Sequence, residues 1–252
     1  LDFARRLKGG DTILTFNYDT LLEKCLDAVG QPYRLFRERP DMLTDEVVLL
    51  KLHGSVDWFN SCQYADHVKV AEEFGYIAED PIFGPKRIVD SIPLVDGERQ
   101  PQDPLKAIFR VLDPSALYTN NYPLVTPHIL APSFTKIVYV GALKDLWYEL
   151  GRMGSLEQGM AIIGFSLPAH DEYLRQTLYR LTRNYTHNNW PEVMPDRAKT
   201  RLRMVDLRSA GHPLAEFYAR YGFIDWTKAD VWFDGFSEAS LDFIFNSTPA
   251  SA

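Results

Sequence analysis

Asn17, Asp19 and His53 are the residues whose types and placement could do chemistry together. An asparagine amide donates and accepts hydrogen bonds at once and stays neutral at every working pH, so Asn17 can orient a water molecule and ligand hydroxyls without any change of charge. An imidazole with an intrinsic pKa of ~6.5 can take a proton from water or a hydroxyl near neutrality, which suits His53 to general-base work. Asp19 adds a carboxylate two positions beyond Asn17. Such a set can hold a polar ligand and place a water against it. Each residue also has a plainer use. Asn17 and Asp19 equally suit the capping of a following helix, and His53 could be a turn histidine after a strand. Thr20 and Glu23 match a capping box, which leaves Asn17 and Asp19 for other work.

The elements that must position these residues are legible as apolar runs. Thr12–Phe16 (TILTF), Val47–Leu52 (VVLLKL), Met160–Gly164 (MAIIG) and Leu202–Leu207 (LRMVDL) read as buried parallel strands. Helical spacing covers Leu1–Leu7, stopped by Gly9 and Gly10, and Thr20–Ala28, whose apolar face carries Leu21, Leu22, Cys25 and Ala28. Further helices are predicted over Lys144–Arg152, over Asp171–Arg183 with Leu174, Leu178 and Leu181 inward, and over His212–Arg220 and Ser237–Phe245. Strands alternating with helices predict an α/β fold: a Rossmann-like parallel sheet with helices on both faces. Ligands bind beyond the carboxyl ends of such strands, where three polar clusters fall: Asn17-Tyr18-Asp19, His53-Gly54-Ser55 and the loop opened by Phe165-Ser166. The stretch from about 60 to 131, punctuated by eight prolines from Pro81 to Pro127, reads as an irregular, partly helical insertion in one domain spanning 1–252. The chain opens on Leu1 inside a helix-like stretch, which predicts an upstream segment.

Composition narrows the classes. A net charge of −7 argues against a nucleic-acid surface, which ordinarily shows a basic stripe. Cys25 and Cys62 are too few for a disulfide framework or a structural zinc site, and predict reduced thiols in a cytoplasmic protein. No apolar run reaches the ~18–20 residues of a membrane span. His67, His128, His170, His187 and His212 show no metal-ligand spacing, so no metal is assigned. Asp171 reads as an N-cap, and Trp58, Trp147 and Trp190 as core or interface residues. Lys136 could face a phosphate or only solvent, Ser166 could bond its own loop, and Gly164 could permit close helix–strand packing.

The ordered motifs resemble the sirtuins. Thr15-Phe16-Asn17-Tyr18-Asp19 resembles their Thr-x-Asn-x-Asp, His53-Gly54 their catalytic His-Gly, and Gly164-Phe165-Ser166-Leu167 their nucleotide-binding Gly-x-Ser-Leu. KLHGSVDW at 51–58, APSFTK at 131–136 and IIGFSLPAHD at 162–171 are similar to bacterial sirtuin-like NAD hydrolases of anti-phage defence proteins. The resemblance runs over roughly residues 11 to 208, with the insertion unmatched. It implies cleavage of NAD to nicotinamide and ADP-ribose, with Asn17 and His53 catalytic and Thr15, Phe16, Asp19, Gly54, Gly164, Phe165, Ser166 and Leu167 contacting the nucleotide. Within it, Asp19 would hydrogen-bond the nicotinamide carboxamide. Two departures stand out: the paired Cys-x-x-Cys zinc ribbon of the deacylases is missing, and the Gly-Ala-Gly phosphate loop is expected before Leu1. The first ranks deacylation last. The second keeps a catalytically silent sensor of NAD or ADP-ribose as the alternative. The resemblance further implies a homo-oligomer coupled to a sensor domain or triggered by a phage protein, with no membrane or nucleic acid as partner.

Overall fold

The computed structural model describes residues 1–35, 45–77, 79–95, 103–119, 122, 124–130, 143–150, 153–154, 157–168, 171–187, 199–208 and 214–246. They form two compact units: one takes in the described residues of Phe3–Ala131 and Lys136–Trp147, the other those of Tyr148–Ala252. Parallel sheets with helices make the chain α/β, as the alternating pattern predicts. APSFTK at 131–136 with its Lys136, and also His170, Trp190 and His212, lie outside the described residues.

The first unit opens with α1 (Asp2–Arg6), β1 (Thr12–Thr15), α2 (Leu21–Val29), β2 (Tyr33–Arg34) and β3 (Val47–Lys51). β3 is central in a parallel sheet of order β1-β3-β2 and is buried along its whole length, which is why its sequence is an unbroken apolar run up to Lys51. β1 is only half-buried, because among the described residues it pairs on one side alone. α2 ends at Gly30, whose φ of 68° lets its N–H reach back to Asp27 O and Leu26 O. Its start departs from the sequence reading. Thr20 makes no side-chain cap, and the helix buries Glu23 and Leu26 while Leu21 and Ala28 are exposed.

The predicted insertion holds more strand than its sequence suggests. β4 (Trp58–Asn60), α3 (Ser61–Glu73), β5 (Ser91–Pro93), β6 (Ile108–Val111) and α4 (Ser115–Thr119) follow in order. The strands form an antiparallel sheet, β4-β6-β5, with Phe59 opposite Phe109 and Ile92 opposite Arg110. Asn60 caps α3 by accepting from Cys62 N and Gln63 N. Phe59, Ile82, Val89, Val111 and Leu117 pack into a core of their own. Helix α5 (Lys144–Leu150) comes next in the chain.

The second unit contains β7 (Ala161–Ile163), α6 (Glu172–His187), β8 (Leu202–Val205), α7 (Leu214–Arg220), β9 (Ala229–Trp232) and α8 (Glu238–Phe245). Its strands form a second parallel sheet, β7-β8-β9, in which Ile162 pairs with Met204 and Met204 with Val231. Leu174, Leu178, Leu181 and Tyr185 recur at helical spacing and give α6 its buried face. Asp171 accepts from Leu174 N at its start, the capping role its position predicts. Arg203, buried on β8, donates to Ile244 O and Asn246 O at the end of α8, where unpaired carbonyls favour a cation.

Candidate functional site

Register brings the first two clusters together. β1 and β3 run parallel with Thr15 beside Lys51, so the chain leaves both strands at the same edge, carrying Asn17 on one side and His53 on the other. Leu52 N donates to Thr15 O at 3.0 Å, extending the ladder one step past β3. Beyond it, the loop of Asn17, Tyr18 and Asp19 is tied to the turn of His53. Val56 N donates to Tyr18 O at 2.9 Å, Ser55 Oγ lies 3.2 Å from the same oxygen, and Lys51 Nζ donates to Asp19 O. Thr15 Oγ1 accepts from Asn17 N at 3.1 Å, which shapes the bend out of β1. Asn17 and Asp19 are both exposed.

Asp19 does serve the helix. Its Oδ1 accepts from Leu21 N at 2.9 Å, so the opening of α2 is an Asx turn and not a capping box. The reason lies in Glu23, whose carboxylate turns inward to Lys51 Nζ at 2.6 Å, both side chains fully buried. A buried ammonium must be paired, so the residue that the sequence assigns to a cap is taken by the strand.

His53 is only 5% exposed. Its imidazole has two near-parallel rings beside it, Tyr18 at 6.0 Å and Trp147 at 5.9 Å, with Phe16 edge-on at 5.1 Å. Trp147 Nε1 donates to Leu52 O at 2.8 Å, fixing that indole beside the residue before His53. Trp147 thus has the core role predicted for it, and so does fully buried Trp58. The segment 128–130 covers the turn: Leu130 N donates to His53 O at 2.8 Å, Ser55 N to His128 O at 3.3 Å, and Tyr18 Oη to Leu130 O at 3.1 Å. Burial raises the Tyr18 phenol above its ordinary value. Gly54 has φ of 79°, and a Cβ there would stand 1.9 Å from His128 O. Only glycine can accept both the left-handed backbone and that approach.

Behind the turn runs a polar chain whose far members, Arg110 and Tyr33, belong to no sequence motif. Ser55 Oγ donates to Asp57 Oδ1, Arg110 Nε to Asp57 Oδ2 at 2.8 Å, and Arg110 NH1 to Tyr33 Oη at 3.0 Å. The hydrogen bonds and charge of Asp57 and Tyr33 raise Arg110 further above its ordinary value against the opposing effect of burial, which is the largest single influence. Lys51 did carry a usable signal, since a lysine closing an apolar strand demands a buried counter-charge.

The third cluster belongs to the second unit and is built differently. Gly164 leaves β7 with φ of 59° and donates to Val205 O at 2.8 Å; nothing lies within 4 Å of where its Cβ would be. Its glycine therefore answers a backbone angle and not close packing. Phe165 O accepts from Tyr221 Oη, and Ser166 O from Arg220 NH1 at 2.9 Å, so α7 and the residue after it pin the loop by its carbonyls. Burial, then the nearby Asp206 carboxylate, pushes the Tyr221 phenol far above its ordinary value. Ser166 is exposed, whereas the Leu167 side chain lies in the core with φ of 44°. A ligand at this loop would meet Leu167 through its backbone. Thr15, Phe16, Asn17, Asp19, His53 and Gly54 are thus gathered in one unit, and Gly164, Phe165, Ser166 and Leu167 in the other.

Among the described residues no group of three or more His, Cys, Asp or Glu side chains could hold a metal ion. None of the described helices is long and apolar enough to cross a membrane. A family model described as a SIR2-like domain matches residues 11–78, from the start of β1 through the Asn17–Asp19 loop and the His53-Gly54 turn to just past α3. The match supports a sirtuin-like family, and with it an NAD-related function; it stops short of the Gly164 loop. No curated protein and no solved structure matches the chain.

Proposed function

We propose that the chain is an NAD glycohydrolase, releasing nicotinamide and ADP-ribose, and that it acts as the effector of a bacterial antiviral system. The observation that carries this reading is the meeting of the Asn17–Asp19 loop and the His53 turn at one strand edge, inside the segment matched as SIR2-like. In the reaction the bond between ribose C1′ and the nicotinamide nitrogen breaks, and the leaving nitrogen takes the electron pair. Because that leaving group begins as a cation, no general acid is required, unlike ordinary glycosidases with their carboxyl pair. Exposed Asn17 orients the ribose hydroxyls and the water that attacks C1′. Asp19 holds the carboxamide, and His53 accepts the proton released by the water or a ribose hydroxyl.

The test is incubation of the full-length protein with NAD and chromatographic resolution of the products. Asn17→Ala should release nicotinamide about 10²–10³-fold more slowly, the usual cost of a lost transition-state contact, with an unchanged melting temperature because the side chain is exposed. Equal release from both proteins sinks the proposal. One observation favours a second reading, a silent sensor of NAD or ADP-ribose: three aromatic rings pack around a His53 that is almost fully covered. Calorimetry separates the two. Binding of NAD without nicotinamide release, unaffected by His53→Ala, selects the sensor.

A further inference from the structure

Lys51 closes a strand that is otherwise wholly apolar, and its side chain is completely buried. Its ammonium donates to Glu23 Oε1, also buried, and to the backbone carbonyl of Asp19. Such a pair is poor value as a stabiliser, since apolar side chains of similar volume commonly give equal or greater stability. An apolar residue could not grip a carbonyl. Asp19 O belongs to the loop that carries Asn17, and the preceding carbonyl, Tyr18 O, accepts from Val56 N at 2.9 Å. The loop is therefore fastened by residues on both sides of His53 in the chain, Lys51 before it and Val56 after it.

We infer that Lys51 is a positioning residue, which fixes the Asn17–Asp19 loop against the His53 turn while Glu23 holds its ammonium in place. The inference rests on the reading of Asn17, Asp19 and His53 as one NAD-cleaving site. Its geometric content, however, can be measured without catalysis.

Three variants of the full-length protein test it. Lys51→Met leaves the Glu23 carboxylate buried without its cation and should lower Tm by roughly 10 °C. The neutral pair Lys51→Met with Glu23→Leu removes the stranded charge and should recover most of that loss. Its loop remains unfastened, so nicotinamide release should stay depressed by about 100-fold, the scale of a small misplacement, with the loss in kcat. Hydrogen exchange at the Val56 and Leu21 amides, which donate to Tyr18 O and to Asp19 Oδ1 of the loop, should quicken in the neutral pair while β3 stays protected. Glu23→Gln keeps the lysine, and so should lose Tm yet retain the protection of those two amides. A neutral pair that regains turnover and loop protection together with Tm overturns the inference. So does a Glu23→Gln loop that exchanges as fast as that of Lys51→Met, which also decides the matter should the neutral pair fold poorly. If wild type releases no nicotinamide, the glycohydrolase reading fails by itself and the exchange comparison still judges the tether.

Discussion

Asp19 has two tasks that substitution can separate. One carboxylate oxygen accepts from Leu21 N and opens α2; the proposed reaction needs the carboxylate for the nicotinamide carboxamide. Asp19→Ala removes both and should cost about 1 kcal/mol of stability, as lost helix-opening acceptors generally do. Asp19→Ser keeps an oxygen for the turn, though a weaker one, so its urea midpoint should lie close to that of wild type with the m-value unchanged. Its nicotinamide release should nevertheless fall roughly 10- to 100-fold, the value of a hydrogen bond to a charged group. Wild-type turnover in Asp19→Ser would leave the opening of α2 as the whole of its work. The comparison matters because the sequence reading freed Asp19 by giving the cap to Thr20 and Glu23. That box cannot form once Glu23 faces a lysine 28 positions away.

Elements, in turn, are joined to the site by charge. Asp57 sits at the entrance to β4 and accepts from Ser55 in the His53 turn and from Arg110 on β6. Arg110→Met preserves much of the side-chain length but leaves a nearly buried carboxylate with one neutral donor. Stability should fall by about 2–3 kcal/mol, less than for a fully buried pair because the guanidinium is partly exposed. Adding Asp57→Asn should recover a good part of it, read as non-additivity in a double-mutant cycle by urea unfolding. Additive losses would mean that the two residues do not act as a pair. The parallel strands could be read beforehand because burial on both faces writes them as apolar runs closed by turn residues. The antiparallel strands could not, since β4 and β5 have three residues each and β5 is mostly exposed. Their existence depends on pairing with β6 and not on any period of their own. The same divide runs through the site: strand-end positions are legible, because they follow from where apolar runs stop. The rings around His53, the Lys51–Glu23 pair and the cover from residues 128–130 are not, because each joins segments far apart in the chain.

At the scale of the whole molecule, pH should act on stability through groups whose ionisation burial or hydrogen bonding perturbs. His128 is one: burial holds its imidazole below the ordinary 6.5, and among the described residues its Nε2 has no hydrogen-bond partner. As pH falls, the unfolded chain takes up this proton before the folded one does. Its contribution is therefore complete above the unfolded pKa of ~6.5 and is lost progressively as pH drops toward the depressed folded value. The lowered carboxylates act elsewhere. Asp113, held down by its hydrogen bonds to Ser115, and Asp225, held down by Thr227, contribute above their ordinary 3.8 and lose that contribution only in stronger acid. Between about pH 7.5 and 5.5 the fall in Tm should be shallower in His128→Gln than in wild type, because the variant has no imidazole for the unfolded state to protonate. The two proteins should then run parallel once pH lies below the depressed folded value of His128, where carboxylates dominate. Equal slopes in the upper window would mean that His128 protonates as readily in the folded chain as in the unfolded one.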